Sequence, residues 1–441
     1  MRTIRALIAA ALLAGLLHAE DFAAKAEQFV NALVAQNQFT GTVLVAREGK
    51  PIFRKGFSFA NREWDIANGP ETKFRLGSIT KQFTATAILE LVEAGKLKTD
   101  DPISKYYTDA PASWSKITIH HLLTHTSGIP SYTSIPGFFQ KEAMFDLTPA
   151  EIVKLTQDQP LEFEPGEKWK YDNSGYILLG YVIEKVSGQS YADFIRQHIF
   201  EPLGMRDTGY DNTKDVLRHR ASGYVYNSGH WLNAPYLAMT LPYAAGSLYS
   251  TVDDLLAWDQ ALYAGKLLSA ESFQKMFTPY KNGYGYGWGI GKQFDRKMIS
   301  HNGGINGFST IISRYPDDKV TIIVLANMQT NAAGRIAKAL AGMVFGVPPV
   351  VHTEIKIDPA LLDGYAGKYE LAAAVFTVSK DGERLMINPE GQPKAQLFPM
   401  AQDRFFLKVV DAEVEFKRDA QGKVSEMLLH QDGNDMSGAR K

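Results

Sequence analysis

The chain contains no cysteine. That excludes disulfides, thiolate metal sites, a cysteine nucleophile and a lipid-modified N-terminal cysteine. An excess of either charge is also missing: 47 lysines and arginines face 48 aspartates and glutamates, for a net charge of −1. No basic stripe or charged block interrupts that balance, which argues against a nucleic-acid partner. Past the N-terminus no apolar run is long enough to cross a bilayer. There is no internal repeat and no low-complexity tract. A hydrophobic content of 45% with 22% charged residues is that of a soluble globular protein, and 441 residues exceed one typical core, so at least two domains are expected.

The N-terminus reads as an address. Arg2 and Arg5 precede the apolar run Ala6 to Leu17, and Ala19 is a suitable last residue for cleavage before Glu20-Asp21. Residues 1–19 are therefore expected to be a signal peptide, and the mature protein to be periplasmic or secreted, without stable membrane insertion. An uncleaved N-terminal anchor is the alternative. An exported chain without disulfides must be held by its core alone, which this length permits.

Helical spacing of apolar residues from Phe22 to Val34 is followed by strand-like Gly41 to Ala46 and Pro51 to Phe53 around a Glu48-Gly49 turn. Far along the chain, Ser309 to Tyr315 and Val320 to Leu325 flank Pro316-Asp317-Asp318 as a hairpin, and Arg335 to Phe345 is again helical. Residues between about 78 and 275 read mostly as helix and loop. Both ends of the first domain thus supply strands and terminal helices around a helical insertion, an α/β (α+β) arrangement. Gly346-Val-Pro-Pro349 then breaks the pattern. We expect a first domain over 20–346, a linker over 347–358 and a small antiparallel β-barrel or sandwich over 359–441. In that last region Val375 to Val378 and Arg384 to Ile387 flank the hairpin signal Asp381-Gly382, and Arg404 to Val410, Ala412 to Lys417 and Val424 to Leu429 follow as strands.

Three stretches carry chemistry. In "FRLGSITKQF", Ser78 stands three residues before Lys81 at the start of an apolar helical pattern ending at Gly95. Residues three apart share a helix face, so the Ser78 hydroxyl and the Lys81 amine can meet. The helix N-terminus also favours developing negative charge on the oxygen. Lysine serves as a base only if burial or nearby positive charge lowers its pKa from about 10.4. A serine cap beside a surface lysine fits the same residues. In "GEKWKYDNSGYILLGYVIEKVSG", Tyr171 and Asn173 lie on a loop entering a helix, where a phenol can shuttle a proton and an amide can orient a lysine or a carbonyl. A packed tyrosine with an asparagine cap is the plainer reading. In "GYGWGIGKQFDRKMISHNGGINGF", His301-Asn302-Gly303-Gly304 follows strand-like Lys297 to Ser300, and its glycines allow close backbone approach and can present an oxyanion donor. A glycine-rich hairpin with a surface histidine is the alternative there.

In the order Ser-x-x-Lys, Tyr-x-Asn, His-x-Gly, residues 25–345 resemble the serine β-lactamase-related hydrolases of the penicillin-recognising superfamily. These include class C β-lactamases, D,D-carboxypeptidases, D-aminopeptidases and β-lactamase-like esterases. "HLLTHTSGIP", "EPLGM", "AAGSLYSTVDDLLAW" and "GYGYGWGI" extend the likeness. The resemblance implies an antiparallel sheet flanked by helices plus an all-helical subdomain, with the site between them. It also implies an acylated Ser78, Lys81 as base or relay, Tyr171 as proton shuttle, and Asn173 contacting Lys81 and substrate. His301 and Gly303 would bind substrate, and the N–H groups of Ser78 and Gly304 would form the oxyanion hole. No cofactor and no metal is implied, and the partner is a small-molecule or peptide substrate. The C-terminal region resembles the lipocalin-like β-domains attached to some of these proteins.

Many superfamily members have lysine where His301 stands. Histidine, near its reference pKa of about 6.5, is mostly neutral at neutral pH. Recognition of a free carboxylate should then be weaker unless an acid keeps His301 charged, which favours esters or D-amino-acid amides and peptides over β-lactams and cell-wall peptides. A zinc hydrolase is a rival reading, since His121 and His125 lie four apart, but Leu122 fills the place where such a motif needs glutamate. A non-catalytic ligand-binding relative is another, and it has no need to keep serine, lysine, tyrosine and asparagine together.

Overall fold

The computed structural model describes residues 21–441 except 228, 350–351, 372–373, 409, 411 and 432–433. The expected leader, residues 1–19, lies outside the described residues. The chain forms two compact units that divide after Pro348.

In the first unit, helix α1 (21–35) leads into β1 (Gly41–Arg47) and β2 (Lys50–Phe57). Their turn holds Glu48 at φ 52° and Gly49 at φ 74°, the paired left-handed conformation that suits a tight hairpin. After the helical middle, with α2 (Thr80–Glu93) and α3 (Ser174–Ser187), come β3 (Gly289–Gln293), β4 (Arg296–Ile305), β5 (Phe308–Tyr315) and β6 (Val320–Ala326). Helix α4 (Ala332–Val344) ends the unit. The sheet runs β3-β4-β5-β6-β1-β2, antiparallel throughout. The central strands are apolar at nearly every position because both faces are covered. On β1, Val43 and Val45 pack with Val30 of α1 and Ile336 and Leu340 of α4. Leu44 and Ala46, on the opposite face, join the core of the helical middle. The α+β class and the sheet flanked by terminal helices are as the sequence led us to expect. The helical middle also holds short strands that the reading omitted, including the hairpin Tyr224–Asn227 and His230–Asn233.

Helix α2 sits deep in this unit. Phe83 meets Phe200 edge-on at 5.5 Å and Trp258 at 4.5 Å. The tryptophan indole N–H donates to Gln82 at 3.0 Å. Burial of such aromatics fixes the helix as a rigid platform.

The second unit is an eight-stranded antiparallel sheet from β7 (Gly367–Leu371) through β8 (Ala374–Asp381), β9 (Arg384–Pro389), β10 (Ala395–Ala401), β11 (Arg404–Leu407), β12 (Ala412–Arg418) and β13 (Val424–Gln431) to β14 (Asn434–Ala439). A bridge between Tyr369 and Arg440 brings its ends together, giving a nearly closed barrel. Tyr365, Tyr369, Phe405, Val414 and Phe416 fill the interior. The sequence reading had five of the eight strands. It passed over β7, β10, which carries Pro399, and β14, whose NDMSGA is largely polar. Partner strands supply the pairing that local propensity does not.

Each unit has its own core. Residues 21–348 expressed alone should therefore unfold in one cooperative transition and keep the far-UV dichroism expected of that part. A non-cooperative melt would show that the first unit does not fold by itself.

Candidate active site

The turn that carries Ser78 is built by close backbone approach. Gly77, at φ 56°, turns the chain from the short strand Phe74–Arg75 into a single 3-10 turn, Gly77–Ile79, that continues as α2. Beside it runs the C-terminal half of β4. Strand β3 pairs with β4 only from Arg296 to Ser300. His301 to Ile305 therefore have no strand partner on that side, while on the other they pair with β5. The backbone of Gly304 lies against this turn: a Cβ on Gly77 would come 2.9 Å from the Gly304 nitrogen. A Cβ on Gly303 would come 1.9 Å from the Leu76 carbonyl oxygen, which already accepts from the Thr310 hydroxyl at 2.7 Å. Gly303 is thus where strand and turn meet. The sequence reading placed the glycine pair after a strand; it lies within one, His301 opposite Ile312 and Gly304 opposite Ser309.

Lys81 is fully buried. Its Nζ lies 3.2 Å from Ser78 Oγ, 2.9 Å from Asn173 Oδ1 and 2.9 Å from the Ala245 carbonyl oxygen. The faces of Tyr171 and Tyr176 lie 4.9 and 5.3 Å from it. Burial lowers its pKa to about 7, while the carboxylate of Asp172 pulls it back up. A neutral amine has two N–H donors and one lone pair. Asn173 Oδ1 and the Ala245 carbonyl can only accept, so they take both donors. The lone pair is left for Ser78, whose hydroxyl can donate.

Asn173 is free to face Lys81 because it does not cap α3. Asp172 does so instead, its Oδ1 accepting the Gly175 N–H at 2.5 Å. The Asn173 amide orientation follows from its other contact, Nδ2 donating to Thr133 at 3.1 Å, and its backbone N–H donates to Ser131 at 3.1 Å. Buried His125, in a left-handed conformation at φ 56°, accepts the Asp172 N–H at 3.2 Å and packs its ring 4.3 Å from Tyr171. The Tyr171 hydroxyl is buried with no hydrogen-bond partner among the described residues. Burial raises its pKa, and the Ser78 hydroxyl nearby pulls the other way. It therefore stays protonated.

His301 is not a surface residue. Its Nδ1–H donates to the Asn302 carbonyl oxygen at 2.6 Å and its Nε2 accepts from the Tyr284 hydroxyl at 2.8 Å. Burial, and then the charge of Lys81, lower its pKa to about 3. It is a neutral imidazole with both nitrogens engaged. Among the described residues no neighbouring acid keeps it charged, the condition under which it would hold a carboxylate by charge. Neither His301 nor Gly303 lines the cavity at Ser78; Gly304 and Asn173 do. That cavity, of about 420 Å³, is walled by Tyr132, Phe138, Leu241 and Phe308 among others, and no charged side chain among the described residues lines it.

The zinc alternative has little to stand on. His121 accepts the Thr118 N–H at 3.2 Å as part of a helix cap, whereas His125 turns to Asp172. Among the described residues no three His, Asp or Glu side chains converge as a metal site. Sequence reasoning missed Asp172, Thr133 and the Ala245 carbonyl. Asp172 had a local signal, an acid at a helix start; the other two had none that spacing could reveal.

A half-buried serine beside a fully buried lysine, at an uncharged cleft between an antiparallel sheet and a helical subdomain, is an arrangement that suits serine acyl transfer. Comparison with known proteins agrees. Residues 26–343 match the family described as Beta-lactamase, and residues 352–440 match a domain of unknown function (DUF3471). The chain belongs to the Beta-lactamase family and is a serine hydrolase of that superfamily. It is 34% identical to penicillin-binding protein 4* of Bacillus subtilis (strain 168) over 92% of this chain and 96% of the relative. An octameric penicillin-binding protein homologue from Pyrococcus abyssi superposes with a TM-score of 0.68 at 28% identity, covering 94% of this chain and 99% of that one. A D-stereospecific amidohydrolase from Streptomyces sp. superposes with a TM-score of 0.60 at 29% identity, over 69% of this chain and 94% of that one. Among the described residues no helix is long and apolar enough to cross a membrane.

Two outcomes are expected. Gly303→Ala should destabilise the first unit by about 1–3 kcal/mol, the usual range for overpacking, and slow acylation; an unchanged urea midpoint would contradict the close-approach role. Because His301 stays neutral, kcat/KM for a carboxylate-bearing ester relative to its methyl ester should be flat from pH 6 to pH 9. A decline of that ratio with rising pH would mean that His301 carries charge.

Proposed function

We propose that the protein hydrolyses esters or D-amino-acid amides and peptides through an acyl-enzyme on Ser78. The arrangement of Lys81 carries this reading: its two donors are taken by obligate acceptors and its lone pair faces Ser78. Ser78 Oγ attacks the substrate carbonyl carbon as its proton passes to Lys81 Nζ. The carbonyl oxygen, now negative, is held by the N–H groups of Ser78 and Gly304. As the tetrahedral intermediate collapses, the buried Tyr171 phenol gives its proton to the departing oxygen or nitrogen and regains one from the Lys81 ammonium. Water then repeats the sequence against the acyl carbon, with the proton moving back to Ser78. Asn173 keeps Lys81 aimed at Ser78.

The uncharged cavity favours neutral acyl groups. It offers no carboxylate for a free α-ammonium, so esters and N-blocked amides fit better than free D-amino-acid amides. A second reading, β-lactam hydrolysis or D,D-carboxypeptidase action, draws support from the names of the penicillin-binding relatives. The neutral, engaged state of His301 argues against it. We also propose that residues 1–19 direct export and are removed. N-terminal sequencing of protein from the periplasm or medium tests this, with a start near Glu20 expected.

A fluorophosphonate probe should label Ser78, and Ser78→Ala should abolish both labelling and turnover; an adduct on any other residue would sink the assignment. Lys81→Ala should slow acylation about 10²–10⁴-fold. The base works only when deprotonated, so activity should be full above a pKa of about 7 and fall as pH drops through it. A profile flat from pH 5 to pH 9 would reject Lys81 as the base. p-Nitrophenyl butyrate should be turned over faster than nitrocefin; the reverse order would favour the second reading.

A further inference from the structure

A second cavity, of about 410 Å³, adjoins the one at Ser78, and Leu237, Asn306 and Phe308 line both. The two differ in charge. The charged side chains that line the second, among the described residues, are Arg75 and Arg220. They share one carboxylate: Arg75 Nε donates to Asp211 Oδ2 at 2.7 Å and Arg220 Nη1 to Asp211 Oδ1 at 3.1 Å. Asp211 lies behind them and is not part of the wall; its side chain is 2% exposed, against 15% for Arg75 and 30% for Arg220. The adjacent cation, Lys73, is paired with Asp207 at 3.0 Å. Two guanidiniums against one carboxylate leave a positive charge facing the cavity. Each guanidinium has five N–H donors, and one from each is used on Asp211. The two ion pairs share a single carboxylate, so the cluster keeps one net positive charge that a bound anion would balance.

Phe308 belongs to the wall of both cavities, and the Arg75 guanidinium lies 5.9 Å from its ring. A Cβ on Gly223 would come 2.8 Å from Phe308 Cε2, so glycine there leaves the ring its place.

We propose that Arg75 and Arg220 form a carboxylate-binding subsite, which takes an anionic group of the substrate held away from the scissile bond. The proposal rests on the acyl-enzyme reading of Ser78. A substrate seated there keeps an uncharged, apolar part beside the serine and extends past Phe308. Its carboxylate then meets a fork of guanidinium donors. Selection for negative charge, absent at His301, is moved one cavity along. Asn306 lines both cavities, its Nδ2 donating to the Pro235 carbonyl oxygen at 3.1 Å.

The test uses p-nitrophenyl monoesters of dicarboxylic acids from succinate to suberate, each with its methyl ester, on the full chain. The ratio of kcat/KM for acid over methyl ester should pass through a maximum at one chain length. In Arg220→Gln that maximum should fall about tenfold or more, the loss typical of a charge-assisted contact. Arg220→Lys should recover part of it. Taking the ratio within one preparation cancels differences in folded fraction. A second measurement does not depend on turnover: calorimetric titration of the same monomethyl dicarboxylates into Ser78→Ala and into the Ser78→Ala, Arg220→Gln double variant. Weaker binding in the double variant supports the subsite. Equal binding in both, no binding in either, or a ratio that Arg220→Gln leaves unmoved would overturn it. Loss of all esterase activity with binding intact would instead count against the acyl-enzyme reading and leave the subsite standing.

Discussion

The placement of one amine, Lys81, governs the site. An ammonium so deeply buried would need compensation by charge, and the nearest carboxylate, Asp172, has its Oδ1 engaged at the start of α3. The environment therefore favours the neutral form. Once neutral, Lys81 has two donors and one acceptor site, and its three neighbours divide accordingly. The Ser78 hydroxyl, 3.2 Å away, then faces the lone pair of the amine. Tyr171 complements this. The same burial that lowers the amine's pKa raises the phenol's, so one environment favours a neutral amine and a protonated phenol side by side.

Holding that amine in place requires backbones to pack more closely than side chains allow. The C-terminal half of β4 reaches the turn that carries Ser78 because Gly303 has no Cβ. On the other flank, a Cβ on Gly287 would come 2.7 Å from the Lys81 carbonyl oxygen, so the segment before β3 lies directly on α2. These glycines serve geometry, and the polar contacts around Lys81 follow from it. The cavity in front of Ser78 is uncharged among the described residues, walled by Tyr132, Phe138 and Leu241 beside polar Thr133, Asn173 and Ser309. One cavity further on, Arg75 and Arg220 bring charge.

Much of this was readable beforehand. Ser78 and Lys81 share a helix face by spacing alone, and Tyr171 and Asn173 stand where a loop enters a helix. The β-rich runs Gly41 to Ala46 and Val320 to Leu325 marked strands. In the barrel, Asp381-Gly382 announced its hairpin. The strand containing Pro399 and the polar strand Asn434–Ala439 did not announce themselves, since their pairing comes from neighbouring strands.

By itself the sequence determined the serine, the lysine three residues on, the helix that carries both, and the order of the motifs, because these are local properties of spacing and residue type. Tertiary structure alone decided their chemical states. Whether Lys81 is charged depends on burial by α3, the Ala244–Gly246 backbone and Tyr171, all distant in the chain. His301 shows the same dependence more sharply. Its residue type suggested an exposed group near its usual pKa, yet Tyr284 and the Asn302 carbonyl engage both ring nitrogens and burial keeps it neutral. A pKa reflects the whole surroundings of an atom, and those surroundings exist only after segments far apart in the chain have packed together.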